Sequence, residues 1–349
     1  MKKRPELNYM NAIASLCVVL IHIFSIAIFQ VERTAWEGAL IYFPWRLSAY
    51  VVPMFFYTGA LKMSRQFETR EVTLPSYLHY CVGRVKKIYL PYVLWSVIYF
   101  FCFIQIGYVR GEVGEFFHYL FTGDLSAPFY YIILVMQFYF LMPLWVWMIR
   151  HIPAWLGISI GMLVTMCMRG LPQLLTHFGV EFAYTGRIFA NYLIFWMAGL
   201  YAGKHYDSFR KTLENRWVKP ICAVLVLVCA GLGYLQYAFD FEPFLLDDVK
   251  MMADLLSIGL LHSICISLTR ASAKIQNTLQ TMASASFFLY LTHCLFLTLA
   301  TNFMQGHGIA SLSILLPARA LVCYTVPYLL WFVYSRTLSR TKWGRGLLG

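Results

Sequence analysis

The chain has 349 residues, of which 60% are hydrophobic and only 13% are charged, and its formal net charge is +12. A soluble protein needs more polar residues than this to cover its core, so the composition excludes a soluble globular chain and predicts an integral membrane protein. The positive charge does not indicate nucleic-acid binding, because membrane topology accounts for it.

Apolar segments follow one another along the whole chain. A helix needs ~20 apolar residues to cross ~30 Å of hydrocarbon, and ten segments meet this need: roughly residues 9–30, 39–61, 88–108, 128–149, 152–168, 187–205, 217–237, 251–269, 283–303 and 311–334. Pro143, Pro153 and Pro172 leave the ends of the fourth to sixth segments open. Nine cysteines form no C-x-x-C pair, so neither a disulfide framework nor a metal site is predicted. We therefore predict an all-α, polytopic membrane helical bundle of about ten transmembrane helices, with residues 1–349 forming one domain.

The loops between these segments differ in charge. With the N-terminus placed inside, the external loops hold few basic residues, namely Arg33, Arg110, Arg169, Arg187 and Lys250. The cytoplasmic loops hold most of the others, from Lys2 and Lys3 to Lys342 and Arg345. Lys and Arg concentrate on the cytoplasmic side of membrane proteins. Both termini are therefore predicted to be cytoplasmic, with residues 335–349 as a short basic tail.

The first segment carries a polar stripe. Asn8, Asn11, Ser15 and His22 are spaced by three, four and seven residues, which places them on one face of a helix. Unsatisfied polar groups are costly in hydrocarbon, so this face must contact other helices or a water-filled cavity. His22 then either makes an interhelical hydrogen bond that fixes packing or takes part in chemistry, and this segment alone leaves both open.

Two arginines lie inside apolar segments. Arg46 is in the outer third of the second segment, and Arg319 is in the outer third of the tenth. A guanidinium at this depth is costly unless it is paired or reaches water. Each therefore either extends to the outer surface or binds substrate, with Glu181 and Asp254 as candidate acidic partners.

The segment VGRVKKIYLPY, Val82–Tyr92, brings Arg84, Lys86 and Lys87 to the cytoplasmic end of the third apolar segment. These cations can act as a topology signal alone. Cations at the N-terminus of a helix also suit a phosphate group, because the helix dipole and free N–H groups add to the side-chain charge. The segment therefore predicts a binding site for an anionic cytosolic molecule.

Five stretches occur in the order seen in one family of membrane enzymes: ELNYMNAIASLCVVLIHIF, VVPMFFYTGALKM at Val51–Met63, RVKKIYLPY, FWMAGLYAGK at Phe195–Lys204 and ASASFFLYLTHCLFL at Ala283–Leu297. On these stretches the chain resembles the acyltransferase-3 family of integral membrane acyltransferases. The stretch FYYIILVMQFYFLMPLW, Phe129–Trp145, is similar to the members encoded with poly-N-acetylglucosamine biofilm systems, described as exporters or as O-succinyltransferases.

The resemblance implies a bundle of ten or so helices that moves an acyl group, acetyl or succinyl, from cytosolic acyl-CoA to a hydroxyl. The hydroxyl belongs to a cell-surface polysaccharide or a lipid-linked sugar. The resemblance further implies a multi-pass protein of the bacterial cell membrane, surrounded by lipid bilayer, with no permanently bound cofactor. Polysaccharide synthesis machinery is the expected protein partner.

The resemblance also implies roles for single residues. By position, His22 matches the family's catalytic histidine, and Tyr290 and His293 match the late pattern S-Y-x-x-Y-L-x-H. Tyr290 and His293, with Arg46 and Arg319, are predicted to bind substrate. A neutral imidazole at His22 removes the proton of a sugar hydroxyl as that hydroxyl attacks the thioester carbonyl. A covalent acyl-histidine step stays open.

The donor site matches the family with one departure. Arg84 and Lys87 match the family's Arg-x-x-Arg pair, and with Lys86 they are predicted to hold the phosphates of CoA. The family places Arg or Lys eleven residues before the first-span histidine, where this chain has Asn11. A neutral amide supplies no long-range charge, so Asn11 leaves a changed donor or a loss of acyl transfer open.

Two further functions fit the sequence. The aromatic and acidic external loops and the missing cation at Asn11 favour an exporter or flippase for an extracellular polysaccharide, without acyl transfer. The absence of a recognisable inverted repeat in the sequence argues against a transporter. An inactive anchoring partner would tolerate leucine along the polar stripe of the first segment.

Overall fold

The structure is a computed structural model that describes residues 4–240, 246–341, 346, 347 and 349. Lys2, Lys3, Lys342 and Arg345 lie outside the described residues, as does part of the predicted tail over residues 335–349. The described residues form helices and no strand. The all-α prediction is therefore confirmed.

The helices vary widely in length. The α-helices are α1 Glu6–Ala27, α2 Trp36–Ser48, α3 Val51–Phe67, α4 Leu74–Arg84, α5 Leu90–Gln105, α6 Val113–Thr122, α7 Tyr130–Phe140, α8 Met142–His151, α9 Ala154–His177, α10 Leu193–Lys204, α11 Tyr206–Glu214, α12 Val218–Phe239, α13 Leu246–Leu268, α14 Ala273–Gly306 and α15 Leu312–Arg336. A π-helical turn, Val85–Tyr89, joins α4 to α5 without a break.

Among the described residues, eight helices are long and apolar enough to cross a membrane, two of them through the continuous runs Trp36–Phe67 and Leu74–Gln105. A ninth candidate is α6 together with Ala127–Phe140, which are bent by 53°. The polytopic membrane bundle is thus confirmed, but two of the ten predicted segments do not form a single long helix.

Local chemistry explains the first of these differences. The segment predicted over residues 128–149 breaks between Phe140 and Met142, because Pro143 lacks an N–H group and suits the first turn of a new helix. The segment predicted over residues 187–205 forms 3₁₀ turns followed by the short helix α10.

α1 and α14 run in the same direction. Asn8 contacts Gln280 near the start of both helices, and His22 contacts His293 further along both. Each membrane crossing reverses the chain, so α14 must be an odd-numbered crossing if α1 is the first. The eight long helices make α14 the seventh crossing, whereas counting the bent pair as one further span makes it the eighth. The direction of α14 therefore agrees with the count of eight long helices.

The chain divides into two compact units. Unit 1 comprises Met1–Phe55 and Asp207–Trp331, and unit 2 comprises Phe56–Tyr206 and Phe332–Gly349. In unit 1, α1 packs against α2, α13 and α14. The prediction that residues 1–349 form one domain stays a prediction.

Unit 2 is held by aromatic stacking and close helix packing. Trp196 stacks on Phe138 with ring centroids 4.3 Å apart, a geometry that adds to the gain from burying both rings. α9 approaches α10 closely because Gly157 leaves room for the ring of Tyr201, which would lie 2.3 Å from an added Cβ.

Candidate functional site

Two histidines from different helices meet inside unit 1. His22 of α1 and His293 of α14 have ring centroids 5.2 Å apart, with their planes tilted by 44°. His293 is fully buried, whereas His22 is only partly buried. The parallel packing of α1 on α14 therefore assembles a histidine pair that has one accessible member.

The protonation of His293 follows from its hydrogen bond. Its Nδ1 lies 2.8 Å from the backbone carbonyl oxygen of Leu289. A carbonyl oxygen only accepts, so Nδ1 carries the proton, and Nε2 of the neutral ring has a free lone pair. Nε2 is buried and has no hydrogen-bond partner among the residues that the structure describes. His293 thus offers an acceptor of fixed position to its surroundings.

The separation of the two histidines suits a bridged contact. One nitrogen of each ring lies no more than 4.8 Å from the other. Two hydrogen bonds of ~2.8 Å to one shared oxygen span up to ~5.6 Å. A single water molecule can therefore accept an N–H from His22 and donate to Nε2 of His293.

A thiol also lies close to the pair. Cys294 completes a group with His22 and His293 whose potential ligand atoms all lie within 4.8 Å of one another. Two imidazoles and one thiol form a donor set that suits Zn²⁺, although the sequence shows no metal motif. The prediction of no metal site stays a prediction.

Aromatic rings line the α14 side of the site. Tyr290 lies one turn before His293, with ring centroids 6.5 Å apart. Its ring stacks on Phe287 at 6.1 Å and meets Phe55 edge-on at 6.4 Å. The structure therefore brings Tyr290 and both histidines together, as three of the predicted site residues.

The polar stripe of α1 faces α14, as a polar stripe inside a membrane must. The Asn8 amide donates to the Gln280 side chain over 3.2 Å, and the Tyr9 hydroxyl donates to Gln276 over 3.4 Å. Asn11 lies between these contacts and His22 and is partly buried. A seam of neutral polar groups thus leads from the N-terminal end of α1 to the histidines.

Two arginines close to the N-terminal end of α1 are already paired with acidic residues of unit 1. Arg4 forms an ion pair with Asp207 at 2.5 Å. Arg210 forms an ion pair with the fully buried Glu6 at 3.0 Å and with Glu214 at 3.3 Å. These cations are already neutralised within unit 1.

Arg46 is paired inside unit 1. Its guanidinium donates to Asp254 over 3.0 Å and to the backbone carbonyl of Lys250 over 3.0 Å. Arg46 is 7% exposed and Asp254 is 14% exposed. The predicted partnership with Asp254 is confirmed, and the alternative that Arg46 extends to the outer surface is wrong because the side chain is buried within unit 1.

Arg319 is buried without such a partner. It is 0% exposed, and its Nε donates to the Thr301 hydroxyl over 3.0 Å. Its two Nη atoms have no hydrogen-bond partner within the described part of the chain. The alternative that Arg319 reaches the outer surface is therefore wrong.

The basic segment belongs to unit 2 and differs from its prediction in one respect. The helix begins at Leu74 with a capping box between Thr73 and Ser76, so the predicted helix N-terminus at residue 88 is wrong. The N–H of Leu90 bonds to the Val85 carbonyl, so the dipole argument for phosphate binding does not apply here. The helix extends on the N-terminal side of the predicted apolar segment through the more polar α4. Hydropathy alone does not show this extension.

The three cations keep other features of an anion site. The Arg84 guanidinium lies against the Tyr80 and Tyr139 rings, 4.7 and 4.8 Å from their centroids. The two rings meet edge to face, with centroids 6.0 Å apart, and their cation–π contacts favour the charged guanidinium at this place. Lys86 and Lys87 are exposed on the π-helical turn, a feature that often marks functional sites.

The sequence analysis missed the pairing of His22 with His293 and the neighbouring Cys294. The topology carried a usable signal, because both histidines lie in segments predicted to run outward and at comparable distances from the cytoplasmic end. Contact between segments so far apart along the chain depends on packing, which the sequence pattern does not show.

One comparison with known proteins gives a match. A family model described as an acyltransferase domain matches residues 4–336, nearly the whole chain. No curated protein and no solved structure matches the chain.

Proposed function

The chain belongs to the acyltransferase-3 family, and we propose that this membrane acyltransferase moves an acyl group, acetyl or succinyl, from cytosolic acyl-CoA to a hydroxyl. The acceptor is a cell-surface polysaccharide or a lipid-linked sugar in the bacterial cell membrane. The observation that carries the proposal is the buried pair of His22 and His293, whose ring centroids lie 5.2 Å apart.

His22 acts as the general base. A sugar hydroxyl donates to the unprotonated nitrogen of His22, which removes the proton as the oxygen attacks the thioester carbonyl carbon. The C–S bond then breaks, and the thiolate of CoA leaves and takes up the proton. The partly buried position of His22 gives the hydroxyl access to the ring.

His293 positions His22 and stabilises it once it is protonated. Because the Leu289 carbonyl fixes the proton on Nδ1, Nε2 of His293 accepts a hydrogen bond from the second nitrogen of His22 through one water molecule. These hydrogen bonds, from His22 through the water molecule to His293, orient the base. A third group orients the histidine in the same way in other nucleophile–base arrangements. Tyr290, on the same face of α14, contributes a ring against which an apolar part of the substrate packs.

The cations of unit 2 are suited to the donor. Arg84, with its guanidinium against the Tyr80 and Tyr139 rings, offers N–H groups to a phosphate of CoA. Lys86 and Lys87 add exposed point charges. Asn11 contributes a hydrogen bond without charge, which suits a part of the donor other than its phosphates.

A second function has one observation in its favour. The bend of 53° between α6 and Ala127–Phe140 is a broken-helix feature of the kind that secondary transporters use at their substrate sites. The described residues contain one such bend without a repeated counterpart. We therefore rank export without acyl transfer second.

Turnover by the purified protein tests the proposal. Protein in liposomes is given acetyl-CoA or succinyl-CoA with a soluble oligosaccharide acceptor, and release of the CoA thiol is measured together with ester formation. We expect ester formation with wild type and none above background with His22→Ala. The matched control, His307→Ala, removes a solvent-exposed histidine and should keep full activity. Equal ester formation by His22→Ala and wild type would refute the assignment.

A further inference from the structure

Arg319 is a buried charge that the acyl-transfer chemistry leaves unused. It is fully buried in α15, and one of its five N–H groups is satisfied, through Nε to the Thr301 hydroxyl at 3.0 Å. Both Nη atoms are sealed from solvent and have no hydrogen-bond partner in the described ranges, 4–240 and 246–341. The guanidinium therefore offers two sets of N–H groups for which the described residues supply no acceptor.

Arg46 shows how the same unit pairs another buried arginine. It is buried to a similar extent, and it has both a carboxylate, Asp254, and a carbonyl acceptor from Lys250. Arg319 has no carboxylate within ion-pair distance among the described residues. A charge inside a membrane bundle is usually paired or marks a ligand site, and the described residues supply no carboxylate for Arg319.

The position of Arg319 relates it to the histidine pair. It lies one turn of α15 before Cys323, whose thiol is 3.7 Å from the backbone carbonyl oxygen of His293. Its partner Thr301 lies eight residues after His293 on α14, a rise of ~12 Å. Arg319 and His293 therefore lie along the same contact between α14 and α15. Arg319 is displaced toward the C-terminal end of α14.

We propose that Arg319 binds an oxyanion, a carboxylate or a phosphate, of the molecule that reacts at the histidine pair. The planar fork of a guanidinium matches both groups through two parallel hydrogen bonds. The carboxylate would be the far end of the acyl group, and the phosphate would belong to a lipid-linked acceptor. The inference rests on the proposed function only for the identity of the molecule that carries the anion. Because both Nη atoms are sealed, the Arg319 side chain or its neighbours must move when the anion binds.

Thermal unfolding without turnover tests the inference. The full chain is purified in dodecyl maltoside, which carries no phosphate, and its Tm is followed by intrinsic fluorescence. The probes are monomethyl succinate for the carboxylate and dioctanoyl phosphatidic acid for the phosphate, with dimethyl succinate and dioctanoylglycerol as neutral analogues. We expect one of the two anions to raise the Tm of wild type by about 2–4 °C at ten or more times its Kd. The neutral analogues should give no shift, and the anion that acts identifies the carrier.

Three variants separate binding from packing. Arg319→Met should have a Tm without ligand equal to or above that of wild type, because an unpaired buried charge is removed, and should lose the anion shift. Arg319→Lys keeps the charge without the fork and should show a reduced shift. Arg46→Met should have a lower Tm, because it removes the ion pair with the partly buried Asp254, and should keep the anion shift.

Two results would overturn the inference. One is a wild-type Tm that neither anion raises above its neutral analogue. The other is an anion shift that Arg319→Met retains. Failure of acyl transfer in the liposome assay would leave the binding result standing, since no step of this test requires turnover.

Discussion

Replacing His293 with glutamine should lower kcat for acyl transfer about 10- to 150-fold and leave KM for both substrates unchanged. In the proposed mechanism His293 acts on His22, so the lost interaction is with the imidazolium that forms during the reaction. A hydrogen bond to a charged group contributes about 1.5–3 kcal/mol. At about 1.4 kcal/mol per tenfold change, this range gives the expected loss in kcat.

The double variant gives the sharper measurement. If His293 acts only through His22, then His22→Ala combined with His293→Gln should be no slower than His22→Ala alone, because residues that act as a unit are not additive. Release of CoA thiol by protein in liposomes supplies kcat and KM for all four proteins. Additive losses, or a His293→Gln variant that changes KM alone, would refute the proposed role.

Other substitutions test the structure and the donor site. Arg46→Met should lower the free energy of unfolding by about 3–5 kcal/mol, since it leaves Asp254 buried without its cation; the double variant with Asp254→Leu should recover most of the loss in denaturant titrations. Gly199→Ala places a Cβ 2.2 Å from the Tyr57 carbonyl oxygen and should cost about 1–3 kcal/mol of unfolding free energy. Gly231→Ala, which meets nothing within 4 Å, should be neutral or stabilising, and equal losses at both glycines would contradict the packing. Arg84→Ala should raise KM for acyl-CoA about tenfold or more with little change in kcat; an unchanged KM would remove Arg84 from the donor site.

Hydropathy and helical spacing predicted the features that are set within a single helix. Eight of the ten apolar segments form long helices, and the stripe of Asn8, Asn11 and Ser15 indicated the face of α1 that meets other helices. Both follow from the cost of exposing polar groups to lipid, which acts residue by residue. The interruption at Leu141 escaped the prediction because Pro143 is as compatible with a kinked span as with a new helix start.

Features that depend on contacts between helices were beyond the sequence. The burial of Arg319 and the ion pair of Arg46 are set by how α2, α13, α14 and α15 pack, so the same residue type at similar depth has two different environments. The helix start at Leu74 was also missed, because the basic residues at its cytoplasmic end resemble the flank of a membrane span. Family resemblance supplied the role of His22, and the structure adds its contact with His293.

The ester-linked acyl content of surface polysaccharide tests the central claim most directly. It is measured by base release and mass spectrometry, beside the amount of exported polymer, in cells that lack the protein and are complemented with wild type or His22→Ala. The acyl-transfer account predicts that wild type restores an ester that His22→Ala does not restore, with polymer export equal in both. Polymer export that depends on the protein, with no ester that does so, would contradict the account and favour the exporter.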